Sequence, residues 1–183
     1  MLRRILILVV PTTFLIGQTS FQKHDIPSSL GGGGTSVYAK DVDSDGDIDL
    51  LTTDQQNDKI SWYENDGTEN FTEHAVNSYD NDGYNTGEEG DADGAHSVYA
   101  IDLDGDGDID VLSASYNDDK IAWYENDGSQ NFTQHVITTD ADFAYDVIAI
   151  DMDGDGDNDV LSASGYDATV AWYENDGSQN FTE

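Results

Sequence analysis

A chain of 183 residues with 37% hydrophobic and 10% aromatic side chains holds enough apolar material for a packed core, which argues against disorder. Its 39 acidic residues against 6 basic ones give a formal net charge of −33, a surface that repels nucleic-acid phosphates and anionic membranes and attracts cations. There is no cysteine, so an exported form needs a staple other than disulfides, or a large enough core.

In chain order, "MLRRILILVVPTTFLIGQTS" (1–20) places Arg3 and Arg4 ahead of an apolar run from Ile5 to about Gly17, interrupted by Pro11. The run is shorter than the roughly 20 residues a membrane span needs, so 1–20 reads as a signal peptide, with no span left after its cleavage. The expected location is secreted or at the cell surface, where calcium is plentiful. Next comes "FQKHDI" (21–26), which matches "FTQHVI" (132–137) with Phe21, His24 and Ile26 in register and predicts a lone strand.

The remainder is a repeat. "KISWYENDGTENFTEHAV" (59–76), "KIAWYENDGSQNFTQHVI" (120–137) and "TVAWYENDGSQNFTE" (169–183) align on Trp62, Trp123 and Trp172. Upstream stand "SVYAKDVDSDGDIDLLTTD", "SVYAIDLDGDGDIDVLSAS" and "DVIAIDMDGDGDNDVLSAS". The units fall at about 21–76, 91–137 and 140–183, and the glycine-rich acidic stretch 79–90 reads as a loop insert. Each unit predicts four short strands: "SVYAID" enters the aspartate loop, "DVLSAS" leaves it, and "KIAWYEN" alternates as a third strand. The Asp127-Gly128 turn then leads into "NFTQHVI". Four strands in just under 50 residues, repeated, predict an all-β chain of four-stranded antiparallel β-propeller blades. About three blades are present, short of the usual four to eight, and the sequence stops one residue before the histidine that both other units place next. An incomplete propeller is therefore expected.

Between the first two strands of each unit runs D-x-D-x-D-G-D-x-D. The positions are Asp41, Asp43, Asp45, Asp47 and Asp49; Asp102, Asp104, Asp106, Asp108 and Asp110; and Asp151, Asp153, Asp155, Asp157 and Asp159. Calcium is a hard cation that takes six to eight oxygens at about 2.3–2.6 Å. Carboxylates at positions 1, 3 and 5 can converge if the chain turns sharply at the glycine in position 6, with position 7 offering a backbone carbonyl and position 9 a fourth carboxylate. Position 12 is Thr52, Ser113 or Ser162 and the flanks are strand-like, which excludes an EF-hand; nothing repeats every nine residues, which excludes a nonapeptide calcium roll. Three copies in the same place relative to the strands point to Ca²⁺ at about three sites rather than to solvated acidic turns.

"DxDGDGxxD" ahead of "DVL", with "IAWYENDGSQNFT" behind, resembles the FG-GAP-like (VCBS) repeat, the calcium-binding blade also found in integrin α-chains. The resemblance runs from Phe21 to Glu183. It implies an extracellular β-propeller whose side-chain ligands are Asp41, Asp43, Asp45 and Asp49, Asp102, Asp104, Asp106 and Asp110, and Asp151, Asp153, Asp155 and Asp159. By the same pattern Asp47, Asp108 and Asp157 bind through backbone oxygen. Ser44 at position 4 and Asn158 at position 8 depart from it, neither at a side-chain ligand.

His24, His74 and His135 share one register and read as packing residues, while His96 belongs to one unit only. The tryptophans suit inter-blade packing, with a sugar-stacking surface as the alternative. Asn70, Asn131 and Asn180 head N-F-T sequons directly after turns, where turn chemistry accounts for them. No lone acid stands in a non-repeating environment and no nucleophile elbow is present, so no catalytic residue is assigned. The expected function is a scaffold for adhesion or for binding an extracellular protein or glycan. A polysaccharide-degrading propeller enzyme and a lectin-like module remain as alternatives.

Overall fold

A strand buried at successive positions, as Asp110–Ser115 is along its whole length, has both of its faces covered, which stacked sheets achieve. The computed structural model, which describes residues 22–26, 33–77 and 92–183, has that arrangement. The signal peptide expected over 1–20 and the loop insert expected over 79–90 lie outside the described residues. Blade 1 comprises β1 (Gly34–Lys40), β2 (Asp49–Asp54), β3 (Lys59–Asn65) and β4 (Phe71–Ala75). Blade 2 comprises β5 (Ala95–Ile101), β6 (Asp110–Ser115), β7 (Lys120–Asn126) and β8 (Phe132–Thr138). Blade 3 comprises β9 (Ala144–Ile150), β10 (Asp159–Ser164), β11 (Val170–Asn175) and β12 (Phe181–Thr182). Each is an antiparallel meander in sequence order, and the described residues form no helix.

The strand predicted over 21–26 is a correction: residues 22–26 pair with no neighbour and form no strand. A fourth strand needs a third strand's free edge beside it, and no such edge precedes blade 1 among the described residues.

Register decides what packs where. Leu51 lies opposite both Tyr38 and Trp62, so these three point to one side of blade 1, which we call its forward face. That face, with Ile60, packs on the rear face of blade 2, made of Val98, Ala100, Val111, Ala122 and Tyr124. The same contact recurs one blade on. Leu112, Ala114, Ile121 and Trp123 on the forward face of blade 2 cover Val147, Ala149, Val160, Ala171 and Tyr173 on the rear face of blade 3. Large residues thus meet small ones plus one tyrosine at both seams. The first strands β1, β5 and β9 are neighbours and line the inner side, leaving β4 and β8 at the rim. Hydrogen bonds cross the seams as well: Asp58 Oδ1 accepts from the Gly94 amide (2.7 Å) and Asp119 Oδ1 from the Phe143 amide (2.8 Å).

The arc of three blades is open rather than closed, and its two end faces differ from the seams. Trp62 and Trp123 are 3% and 4% exposed inside seams, whereas Trp172, on the uncovered forward face of blade 3, is 38% exposed. Replacing Leu112 by alanine is expected to cost about 2–5 kcal/mol in urea unfolding, as for a buried leucine, and Leu161→Ala at the equivalent place on the open face at most about 1 kcal/mol.

Candidate functional site

The aspartate loops join β1 to β2, β5 to β6 and β9 to β10, so all three emerge at one end of the arc. Glycine at position 6 is required by conformation: Gly46, Gly107 and Gly156 have φ of 99°, 101° and 105°, a region closed to most side chains. Position 4 is also left-handed, at Gly105 (80°), Gly154 (84°) and, in blade 1, Ser44 (62°).

Each aspartate then has a definable task. At position 1, Asp102 Oδ1 accepts from the Gly105 amide (2.8 Å) and Oδ2 from the Gly107 amide (3.1 Å), and Asp151 does the same with Gly154 (2.7 Å) and Gly156 (3.2 Å). Asp41 keeps only the Gly46 bond (3.1 Å), and its Oδ1 is buried with no hydrogen-bond partner. The serine at position 4 therefore coincides with an orphaned carboxylate oxygen. At positions 3 and 5, Oδ1 caps the amide two residues on, at 2.8–3.2 Å in every loop. The turns use one oxygen of each and leave the other.

Position 9 opens the second strand and is fully buried at Asp49, Asp110 and Asp159. One carboxylate oxygen accepts from the position-2 amide of its own loop, that of Val42 (3.0 Å), Leu103 (2.9 Å) or Met152 (2.9 Å). The other accepts from the last amide of the third strand, that of Asn65 (2.8 Å), Asn126 (2.9 Å) or Asn175 (2.8 Å). Each such carboxylate clamps loop to strand. Burial raises the Asp110 carboxyl to about 7, opposed by the amides of Asn126 and Leu103 and reinforced by the charges of Asp104 and Asp106. A carboxyl raised on folding takes up a proton, so in the cation-free chain its contribution to stability falls as pH rises from about 4 to about 7.

Position 7 points elsewhere. The side chains of Asp47, Asp108 and Asp157 lie under the β3–β4, β7–β8 and β11–β12 turns, where a Cβ on Gly67, Gly128 or Gly177 would come within 2.4–2.5 Å of a carboxylate oxygen. Those turns close on themselves: the Asp127 carboxylate accepts from Ser129 N (2.9 Å) and from the Asn131 side chain (2.9 Å). The sequon asparagines are occupied by this turn bonding, as are Asn70 with Asp66 and Asn180 with Asp176. The bonds from Thr68 and Asn70 hold the exposed Asp66 down at about 2.

Oxygens within 4.8 Å of one another come from Asp41, Asp43 and Asp45, from Asp102, Asp104 and Asp110, and from Asp151, Asp153 and Asp155. Burial raises Asp43 and Asp104, eased by the Asp45 and Asp106 amides and added to by neighbouring carboxylates that include Glu64 and Glu125. Converging oxygens of one charge, one of them orphaned, fit a hard divalent cation.

Sequence reasoning missed the role of Asn158, whose side-chain amide donates to the Asp102 carbonyl (2.9 Å) and ties the loops of blades 2 and 3 together. It also missed a cluster at the opposite end. There Tyr116 stacks on Phe143 (4.5 Å, 6°), Tyr145 meets Tyr116 and His96 edge-on, and Tyr166 meets Phe143 edge-on. The repeat's own Gly94 (φ 71°) is replaced there by Phe143 (φ 56°), a bulky residue in the left-handed region. His74 and His135 stack on Trp62 and Trp123 (both 4.6 Å) and bond Glu64 and Glu125 (both 2.8 Å), a packing arrangement. Replacing Asp110 by alanine leaves two buried amides unpaired and is expected to cost about 1–3 kcal/mol for each, read by denaturant unfolding.

A family model described as the FG-GAP-like repeat matches residues 41–112 and 102–162. Among solved structures, the chain is similar to a lectin of Agrocybe aegerita described as recognising non-reducing terminal N-acetylglucosamine. The identity is 20% and the TM-score 0.53, over 80% of this chain and 37% of that one, so the chain spans little more than a third of that protein. No curated protein sequence matches. Among the described residues no helix is long and apolar enough to cross a membrane.

Proposed function

The chain belongs to the FG-GAP-like repeat family, and from that premise we propose that it is a calcium-binding β-propeller module, secreted or held at a cell surface, that presents a ligand-binding face rather than catalysing a reaction. The observation that carries this reading is the threefold recurrence of the converging carboxylate oxygens. The aspartates of positions 1, 3, 5 and 9 would hold the ion by side chain, at Asp41, Asp43, Asp45 and Asp49, Asp102, Asp104, Asp106 and Asp110, and Asp151, Asp153, Asp155 and Asp159. Asp47, Asp108 and Asp157 would contribute backbone oxygen, which suits side chains engaged beneath the neighbouring turns. Bound calcium would remove the mutual repulsion of the loop and lock the ends of the first two strands of each blade.

A site that repeats in every blade supports structure; a ligand face should differ between blades. The aromatic cluster of His96, Tyr116, Phe143, Tyr145 and Tyr166 is such a face, with Tyr166 75% and Tyr145 43% exposed. Exposed tyrosine rings beside Asp142 and Asp167 offer a stacking plane with hydrogen-bond acceptors, the combination that suits a sugar ring. The ligand class favoured is therefore an uncharged glycan, with adhesion to an extracellular protein as the second reading.

Calcium in thousandfold excess over its dissociation constant is expected to stabilise the fold by about 4 kcal/mol, seen as a higher melting temperature that chelator reverses. An unchanged melt together with no bound calcium by elemental analysis would refute the metal reading. Tyr166→Ala is expected to abolish retention on a neutral glycan array, N-acetylglucosamine included, without altering the calcium-dependent melt. Retention that survives both Tyr166→Ala and Tyr145→Ala would place the ligand elsewhere.

A further inference from the structure

The three acidic loops follow one pattern and differ at one bond. In every blade the position-1 carboxylate is held through Oδ2 by the amide of the position-6 glycine: Asp41 by Gly46 (3.1 Å), Asp102 by Gly107 (3.1 Å) and Asp151 by Gly156 (3.2 Å). In blades 2 and 3 the other oxygen is held as well, Asp102 Oδ1 by the Gly105 amide (2.8 Å) and Asp151 Oδ1 by the Gly154 amide (2.7 Å). In blade 1 position 4 is Ser44, and among the described residues Asp41 Oδ1 is buried with no hydrogen-bond partner. Ser44 sits at φ 62°, near the left-handed minimum of about 57°, whereas the two glycines open to 80° and 84°.

A carboxylate oxygen that accepts an amide hydrogen bond has part of its charge balanced before any ion arrives. An ion that reaches it must share or displace that bond, so the gain on binding is smaller. Asp41 Oδ1 has no such bond to give up. It has left water without acquiring a donor, and a cation restores what burial removed. Orientation does not offset the difference, because the bond from position 6 that aims the carboxylate is the same in all three loops. Nor does cover by a neighbour explain it: blades 1 and 2 both have a blade packed on their forward faces, and they differ at position 4 all the same. The partners of Asp41 are in place too, since Asp43 and Asp45 bring oxygens within 4.8 Å of its own.

We propose that the calcium sites of the three blades are unequal and that Ser44 makes the site of blade 1 the first to fill. The proposal rests on the calcium reading above and adds an order to it. Ser44 acts by withholding an amide from Asp41, so it is a positioning residue and not a ligand. Blades 2 and 3, with both position-1 oxygens engaged, take their ions at higher calcium. Val42, the residue after Asp41, is buried in the core that blades 1 and 2 share, so the first ion firms a loop anchored in that seam.

The test is calorimetric titration of the full chain, stripped of metal by chelator, with calcium chloride. One step is expected to be at least about fivefold tighter than the rest, the low end of what an unpaired buried acceptor costs. Ser44→Gly is expected to bring that step into line with the others. Gly105→Ser is expected to create a second tight step; a side chain there meets open space, and Ser44 shows the backbone of this loop accepting serine. A loop merely destabilised by Gly105→Ser would bind more weakly, the opposite sign. Asp41→Asn is expected to remove the tight step and keep the others. Equal steps in the unaltered chain, or a tight step that Ser44→Gly leaves unchanged, overturn the proposal and leave the calcium reading standing. No heat of binding together with no bound calcium by elemental analysis overturns both.

Discussion

The structure depends on one interaction made three times: a buried aspartate at the head of the second strand that accepts two main-chain N–H groups from segments far apart in sequence. Asp49, Asp110 and Asp159 each hold the second residue of the acidic loop with one oxygen and the end of the third strand with the other. A buried carboxylate is costly unless its oxygens are satisfied, and two amides at 2.8–3.0 Å do so. Because the end of the third strand leads into the Asp-Gly turn, the same clamp brings that turn over the position-7 aspartate, where only glycine fits. Loop, strand pair and turn thus form one unit, and the carboxylates that face outward inherit their convergence from the one that faces inward.

That unit explains how so acidic a chain folds. Repulsion among like charges a few ångströms apart is roughly 4 kcal/mol for a close pair at an effective dielectric of about 20. The loops offset much of it locally, since positions 1, 3 and 5 each accept amide hydrogen bonds that favour the charged form. What remains is concentrated in the oxygens that no amide reaches, Asp41 Oδ1 above all. Packing does the rest without charge: the seams are built from aliphatic and aromatic faces, and the ionic contacts lie at their margins.

The strands, their order and their pairing were legible in the sequence because period two and a repeated turn leave little freedom, and the three acidic loops because position 6 must be glycine. The division of labour among the aspartates was not. Spacing shows that Asp108 and Asp110 recur but not which way each points; only the clamp to Asn126 and the contact under Gly128 separate them. The lone strand expected at 21–26 failed for a related reason, since a strand pattern states a propensity and pairing needs an edge. The aromatic cluster was hidden because its members stand at inequivalent places in two units, Tyr116 in one β-turn and Tyr166 in the next, and the two groups join across a seam where Tyr116 stacks on Phe143.

Repetition and its breaches carry different information in a fold of this kind. Equivalent blades must bury equivalent faces, so a residue that recurs, such as the tryptophan beneath its histidine, is answering to the neighbouring blade. A residue that breaks the pattern is free of that demand and needs its own account. Phe143 takes a left-handed backbone where Gly94 stands in the previous unit, at a cost of about 1–2 kcal/mol, and its ring becomes the centre of the exposed aromatic face. Gly165 stands where the previous unit has Tyr116, and the Tyr145 ring occupies the space a side chain there would need. Two exchanges in opposite directions, one adding a ring against backbone preference and one removing a side chain to admit a ring, build a single surface that neither repetition nor packing requires. A ligand-binding face of the kind proposed above would account for such a surface at the end of the arc farthest from the acidic loops.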